Sequence, residues 1–211
     1  MDNVDEQRRR VDWLELIQIV LLSIGALLIA WCGNQASQWG SIQSVATSDA
    51  IRQTVAAARQ AALAGQDRLV DLISFEKWLD ATATGNESLA IFHRERFRAE
   101  FKPVFEAWLA SEPLNNSAAA ETPFAMAEYA PMRAQRAFEM DAKSEGLMQQ
   151  ALEASDISGR YVRLTLFYAT AMFFAGLTKV FKRRNFQYVM LTISGLFMLV
   201  GLSQMARLPV I

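Results

Sequence analysis

Three windows of this 211-residue chain are almost free of charge: Leu16 to Gln35, Leu164 to Thr178, and Asn185 to Ala206. A helix needs roughly 20 mainly apolar residues to cross a hydrocarbon core about 30 Å thick. The first and third windows reach that length directly. The second reaches it once Arg163 and Lys179 at its ends extend their charges to the two interfaces, as long basic side chains readily do. Buried helices of a soluble core are the alternative, and three such windows, two of them over-length for a core helix, argue against it. Trp13, Trp31 and Tyr188 near the window ends fit an aromatic belt. The expected fold class is an all-α integral membrane protein. Its transmembrane helices are placed at 13–33, 161–181 and 187–206, with an extracytoplasmic helical bundle between the first two and long helices continuous across the membrane boundary. Bulky Trp31 before Cys32 and the lack of a small-x-small site predict a retained first span rather than a cleaved signal peptide.

Basic residues set the orientation. Arg8, Arg9 and Arg10 precede the first span, and Lys179, Lys182, Arg183 and Arg184 lie between the second and third. The positive-inside rule places both groups in the cytoplasm, and the two assignments agree because a second span returns the chain to its starting side. The third span then carries 207–211 outside, with Arg207 as a contrary charge. The style of the chain, with short termini and an Ala-rich helical outer segment, suggests a bacterial inner membrane.

The outer segment, 34–160, contains 12 Lys or Arg and 17 Asp or Glu, a formal net charge of −5. Such a surface does not attract a polyanion, so no nucleic-acid partner is expected. Its apolar residues recur with helical rather than strand period. Ile51, Val55, Ala58, Ala62, Gly65, Leu69 and Leu72 follow a 4-3-4-3 spacing that predicts a packed seam on a helix continuing from the first span. A second seam, Ala137, Met140, Ser144, Leu147, Ala151, Ala154, Ser158 and Tyr161, predicts a helix that starts near Pro131 and runs unbroken into the second span. Shorter helices are expected from Asp67 or Leu69 to Thr82, from Glu87 to Lys102 and from Pro103 to Ala110, with a turn at Thr84 to Asn86. The sum is a bundle of about four helices.

The stretch "FHRERFRAEFK", Phe92 to Lys102, interleaves rings with basic residues. On a helical wheel Ala90, Phe97 and Phe101 share one side, and Arg96 can reach Glu100 four residues on. It reads as a supporting amphipathic helix, with Arg94 and Arg98, one turn apart, as the candidate site for a small anion or a neighbouring protomer's carboxylate. His93 is the only histidine and Cys32 the only cysteine, so neither a His-pair metal site nor an intrachain disulfide is possible. No nucleophile elbow, phosphate loop or dinucleotide fingerprint is present. The chain is expected to be non-enzymatic, without cofactor or metal.

The membrane edge carries more chemistry. Asp12, Glu15 and Gln18 recur every third residue and fall on one broad face of the first helix as it enters from the cytoplasm. Ionisable groups there should face protein or water. They either pair with Lys179 or Lys182 on the second span or form a ring of carboxylates at the inner mouth of a cation pathway. Small residues on every span, among them Ser23, Gly25, Ala26, Ala30, Ala171, Ala175, Gly176, Ser194, Gly195 and Gly201, offer close packing surfaces. These features predict a homo-oligomer in a lipid bilayer. The functional expectation is an ion channel or pore with an extracytoplasmic vestibule or gate. The alternative is an accessory or scaffold subunit that docks a membrane or periplasmic protein through its outer domain.

Overall fold

The computed structural model describes residues 13–113, 115–116, 118–181 and 183–211. They form five α-helices: α1 (Trp13–Ala83), α2 (Glu87–Glu95), α3 (Lys102–Ala110), α4 (Met132–Leu177) and α5 (Arg184–Met205), with short 3-10 turns at Pro123–Ala125 and Thr178–Val180. Helices α1, α4 and α5 each contain a stretch long and apolar enough to cross a membrane. The chain divides into two compact units. A terminal unit comprises the chain through Ser48 together with Met148–Ile211, and a central unit comprises Asp49–Leu147.

Helix α1 runs for 71 residues without interruption, so the separate helix expected to begin at Asp67 or Leu69 does not exist. A lone Gly65 costs only about 1 kcal/mol relative to alanine, too little to end a helix that is packed on either side of it. The first real stop is Thr84 to Asn86, where Gly85 takes a φ of +73° and the Asn86 side chain caps α2 by accepting from the Leu89 N–H at 3.1 Å. Helix α2 then ends at Glu95 instead of reaching Lys102. Pro103 sits in the first turn of α3, where its missing N–H is harmless but its ring blocks a continuous helix through the preceding turn.

The central unit is built on rings. Phe75, Trp78, Phe97, Phe101, Phe105 and Trp108 are buried together. Trp78 meets Phe105 edge-on at 4.7 Å, Phe97 meets Phe105 at 4.8 Å, and Phe101 stacks on Phe124 at 5.3 Å. Such pairs add about 0.5–1.5 kcal/mol each beyond their buried area. The indole N–H of Trp108 is satisfied by the Ala120 carbonyl at 2.8 Å. Along α1 the packed positions are Ala50, Ala57, Ala64, Asp71 and Trp78, one heptad apart. Helix α4 approaches antiparallel to them, with Ser144 donating to the Ala50 carbonyl at 3.0 Å and lying 2.7 Å from the Thr54 hydroxyl. The expected α4 seam is buried at Ala137, Ser144, Ala151, Ala154 and Tyr161. The expected α1 seam is not the packed one: Ile51, Val55, Ala58, Ala62, Gly65, Leu69 and Leu72 all face outward. Two apolar stripes lie side by side on α1, and α4 packs on the one whose alanines let two backbones approach.

In the terminal unit the helices meet over small residues around Cys32, Tyr161, Leu164, Tyr168, Ala171 and Met198. A Cβ added at Gly201 would stand 2.6 Å from the Tyr168 ring, and one at Gly25 would stand 2.6 Å from Met172 Cγ. Of the small residues singled out above, Gly25, Ala171, Ala175, Ser194 and Gly201 point inward, whereas Ser23, Ala26, Ala30 and Gly176 point outward. Large apolar side chains such as Leu27, Leu166, Phe173 and Leu199 cover the outside. Past α5 the chain folds back: Gln35 exchanges two hydrogen bonds with Ile211, 2.9 Å to its carbonyl and 3.1 Å from its N–H, and the Tyr161 hydroxyl donates to the Pro209 carbonyl at 3.0 Å.

Candidate functional site

The basic stretch folds onto the chain's own acids. Arg94 lies in the last turn of α2 and Arg98 beyond its end, so the two do not share a helical face as the wheel implied. Arg94 makes a two-pronged ion pair with Glu106 of α3, its Nε 2.8 Å from one carboxylate oxygen. The hydrogen bond from Arg94 holds the Glu106 carboxyl below the ordinary range. Arg96 does not reach Glu100; its guanidinium lies 3.5 Å from the centre of the Phe92 ring. Glu100 is taken by Arg98 instead.

Arg98 is the hub of the central unit. It bonds Asp71 at 2.7 Å and lies 3.2 Å from Asp67, which Arg133 at the start of α4 also contacts at 2.9 Å. Tyr129 donates its hydroxyl to Asp71 at 3.1 Å. Asp71 is only 2 % exposed, and its second carboxylate oxygen has no partner among the described residues. Burial pushes the Asp71 carboxyl above the ordinary range, against the opposing pull of the Arg98 charge and the hydrogen bonds from Tyr129 and Arg98. Burial, the Asp71 charge and the hydrogen bond to Asp71 push the Tyr129 phenol up to about 12. A recess of about 220 Å³ beside these groups is lined by Asp71, Arg98, Glu100, Phe101, Glu128 and Tyr129 among others. With three carboxylates around one guanidinium, Arg98 has no surplus charge to offer a free anion. The cluster acts chemically as a clasp that joins α1, the turn after α2 and the start of α4.

The membrane-edge candidates lie at the α1 start of the terminal unit. The Glu15 carboxylate stands 3.1 Å from the Lys179 ammonium, both more than half exposed. Gln18, one turn further along α1, is only 4 % exposed. Leu14, Glu15, Gln18, Thr178, Lys179 and Gln187 line a recess of about 340 Å³. Asp12 and Lys182 fall outside the described residues, as do Arg8, Arg9 and Arg10. His93 packs edge-on against Phe92 at 5.6 Å. Among the described residues no group of three or more His, Cys, Asp or Glu gathers in a way that could hold a metal ion.

Sequence reasoning missed Asp71, Asp67 and Tyr129. The only available signal was an acid on the buried heptad of α1, and that heptad was hidden by the apolar stripe beside it. The roles of Gln35 and Tyr161 in holding the tail left no trace in the local pattern. Comparison with protein-family models, with curated proteins and with solved structures found no match.

Proposed function

We propose that this chain is a non-enzymatic membrane protein that works by self-association, its assembled copies forming an ion channel or pore. In this reading the apolar stretches of α1, α4 and α5 span the bilayer, with the N-terminus cytoplasmic and the central unit on the opposite side. One observation carries the self-association: a two-helix face of the central unit that none of the described residues covers. On α1 the face presents the outward stripe from Ile51 to Leu72. Beside it Thr54, Ala57, Ala58, Ala61 and Ala137 line a groove of about 380 Å³ flanked by Phe138 and Asp141.

Phe138 stands 75 % exposed at the edge of this alanine-lined groove, a large ring beside a hole of matching kind. Arg59 is exposed on α1, and Asp141 and Glu145 are exposed on α4, while Arg52 is already paired with Asp49 of its own helix. A patch with opposite charges on its two halves is self-complementary under two-fold rotation, so the occupant that fits is a second copy of this chain. Each α1 then meets the other copy's α4, and each Phe138 enters the other copy's groove. The recess holding Glu15 and Gln18 supports the permeation part of the reading, as a polar mouth where apolar helices end.

The test is the protomer count of full-length protein in nanodiscs, read by native mass spectrometry, together with currents from reconstituted protein. Phe138→Glu should weaken association by roughly tenfold or more. Arg59→Glu and Asp141→Arg should each weaken it, and the two together should restore it. Glu15→Gln should alter conductance. A monomer at every accessible concentration sinks the self-association reading. A symmetric assembly that never conducts sinks the channel and leaves the accessory-subunit reading, which the outward Leu89, Ile91 and Phe92 of α2 favour as a docking surface.

A further inference from the structure

The terminal unit contains a second recess, of about 310 Å³, lined by Arg160, Arg163, Leu164, Gln204, Arg207 and Leu208. Arg160 and Arg163 stand three residues apart on α4 and so share a face. Arg207 comes from the turn after α5, where its N–H bonds the Gln204 carbonyl at 3.2 Å. The segment beyond it is tied down by the Tyr161 to Pro209 and Gln35 to Ile211 hydrogen bonds. Three arginines thereby line one hollow, from opposite ends of about 45 residues of sequence. Among the described residues a single carboxylate answers them: Asp156 pairs with Arg160 at 2.7 Å. Arg163 and Arg207 form no ion pair among the described residues. The arginines around the hollow thus carry a net charge of about +2 beside the buried Leu164, and an anion seated among like charges is attracted to all of them.

We infer that this recess binds a phosphate-type anion, the phosphodiester headgroup of an anionic phospholipid. Guanidinium groups match phosphate oxygens with forked, charge-assisted hydrogen bonds. The Gln204 amide adds a neutral donor, and Leu164 and Leu208 supply an apolar wall where a headgroup gives way to its acyl chains. Basic hollows between membrane helices are suited to acidic headgroups for this reason. The site also accounts for arginines at the end of the spans that the positive-inside rule leaves poor in basic residues. It rests on the reading that α4 and α5 cross the bilayer, and not on self-association or conduction.

The test uses the full chain in nanodiscs of phosphatidylcholine containing a minor fraction of phosphatidylglycerol, with retained lipid identified by native mass spectrometry. Wild type should retain phosphatidylglycerol in preference to phosphatidylcholine. Arg163→Gln and Arg207→Gln should each weaken that retention by roughly tenfold, while Arg136→Gln, on the α4 surface of the central unit, should leave it unchanged. Arg163→Lys guards against a folding artefact by keeping the charge and part of the binding. Displacement of the lipid by glycerophosphoglycerol but not by inorganic phosphate identifies a headgroup site, whereas displacement by inorganic phosphate identifies the same site with a free phosphate as occupant. Equal retention of the two lipids, or retention indifferent to both glutamine variants, overturns the proposal. Labelling of introduced cysteines from one side of the membrane tests the spanning topology separately, so failure of the site and failure of the topology remain distinguishable.

Discussion

The two units use the same pair of helices in opposite ways. In the terminal unit α1, α4 and α5 bring small residues such as Gly25, Ala171, Ala175, Ser194 and Gly201 up against Tyr161, Leu164, Tyr168 and Met198, while other large apolar side chains such as Leu27, Leu166 and Phe173 turn outward. In the central unit the large rings turn inward around Phe105, and the surface mixes charged side chains with the open apolar stripe of α1. This contrast is what the proposed bilayer around the terminal unit would produce. Against hydrocarbon an outward leucine gains nothing by burial, so close backbone packing is what holds helices together. Against water, burial of rings dominates, at about 25 cal/mol for each Å² of apolar surface removed. Polar chemistry is partitioned too. The terminal unit keeps its ion pairs and arginines at the ends of the apolar stretches, while the central unit buries Asp71 and answers it with Arg98 and Tyr129.

The contrast can be broken by substitution in full-length protein unfolded in micelles. The largest effect belongs to Phe105→Ala, which empties the centre of the ring cluster and should cost about 3–5 kcal/mol. Leu166→Ala, on the outside of the terminal unit, should stay within about 0.5 kcal/mol. Equal losses would mean that the two units do not differ in what drives their packing. Next comes Arg98→Ala, which strands the buried Asp71 carboxylate and should cost about 3 kcal/mol. Replacing both members, Asp71→Leu with Arg98→Met, should recover most of that loss, because an apolar pair needs no compensation. If the double variant is no better than the single one, the clasp contributes packing rather than charge. A smaller effect, and the sharpest for the terminal unit, is Gly201→Ala at about 1–3 kcal/mol, since its methyl would press on the rigid Tyr168 ring. Gly25→Ala should cost less because its neighbour Met172 is flexible. A silent Gly201→Ala would show that helices α4 and α5 are not held at the observed separation.

Legibility varied with how local the deciding signal was. The course of α4 could be read because Pro131, the small residues at heptad spacing and the later apolar run all agree along one stretch. The seam of α1 was misplaced because two apolar stripes share that helix, and periodicity reports that a face is apolar without reporting what covers it. Arg94 and Arg98 were recognised as a pair, but the carboxylates that claim them, Glu106, Asp71 and Asp67, come from other elements. Glu15 and Lys179 lie 164 positions apart; apolar run lengths suggested a pairing of the α1 acids with Lys179 or Lys182 beside the alternative of a carboxylate ring, and the two side chains stand 3.1 Å apart.

The amino-acid sequence alone determined that this chain is helical, that three of its segments are apolar at membrane-spanning length, and where its turns and long helices begin. These are properties of neighbouring residues, governed by backbone propensity, proline and glycine geometry, and the length of charge-free runs. The tertiary structure decided which stripe of α1 is packed and which is left open, which acids answer Arg98, and that Arg207 joins Arg160 and Arg163 in one hollow. Those outcomes depend on the rotation of each helix about its axis and on a tail held by Gln35 and Tyr161. Such rotations follow from the fit of distant side chains to one another, and no local run of sequence records that fit.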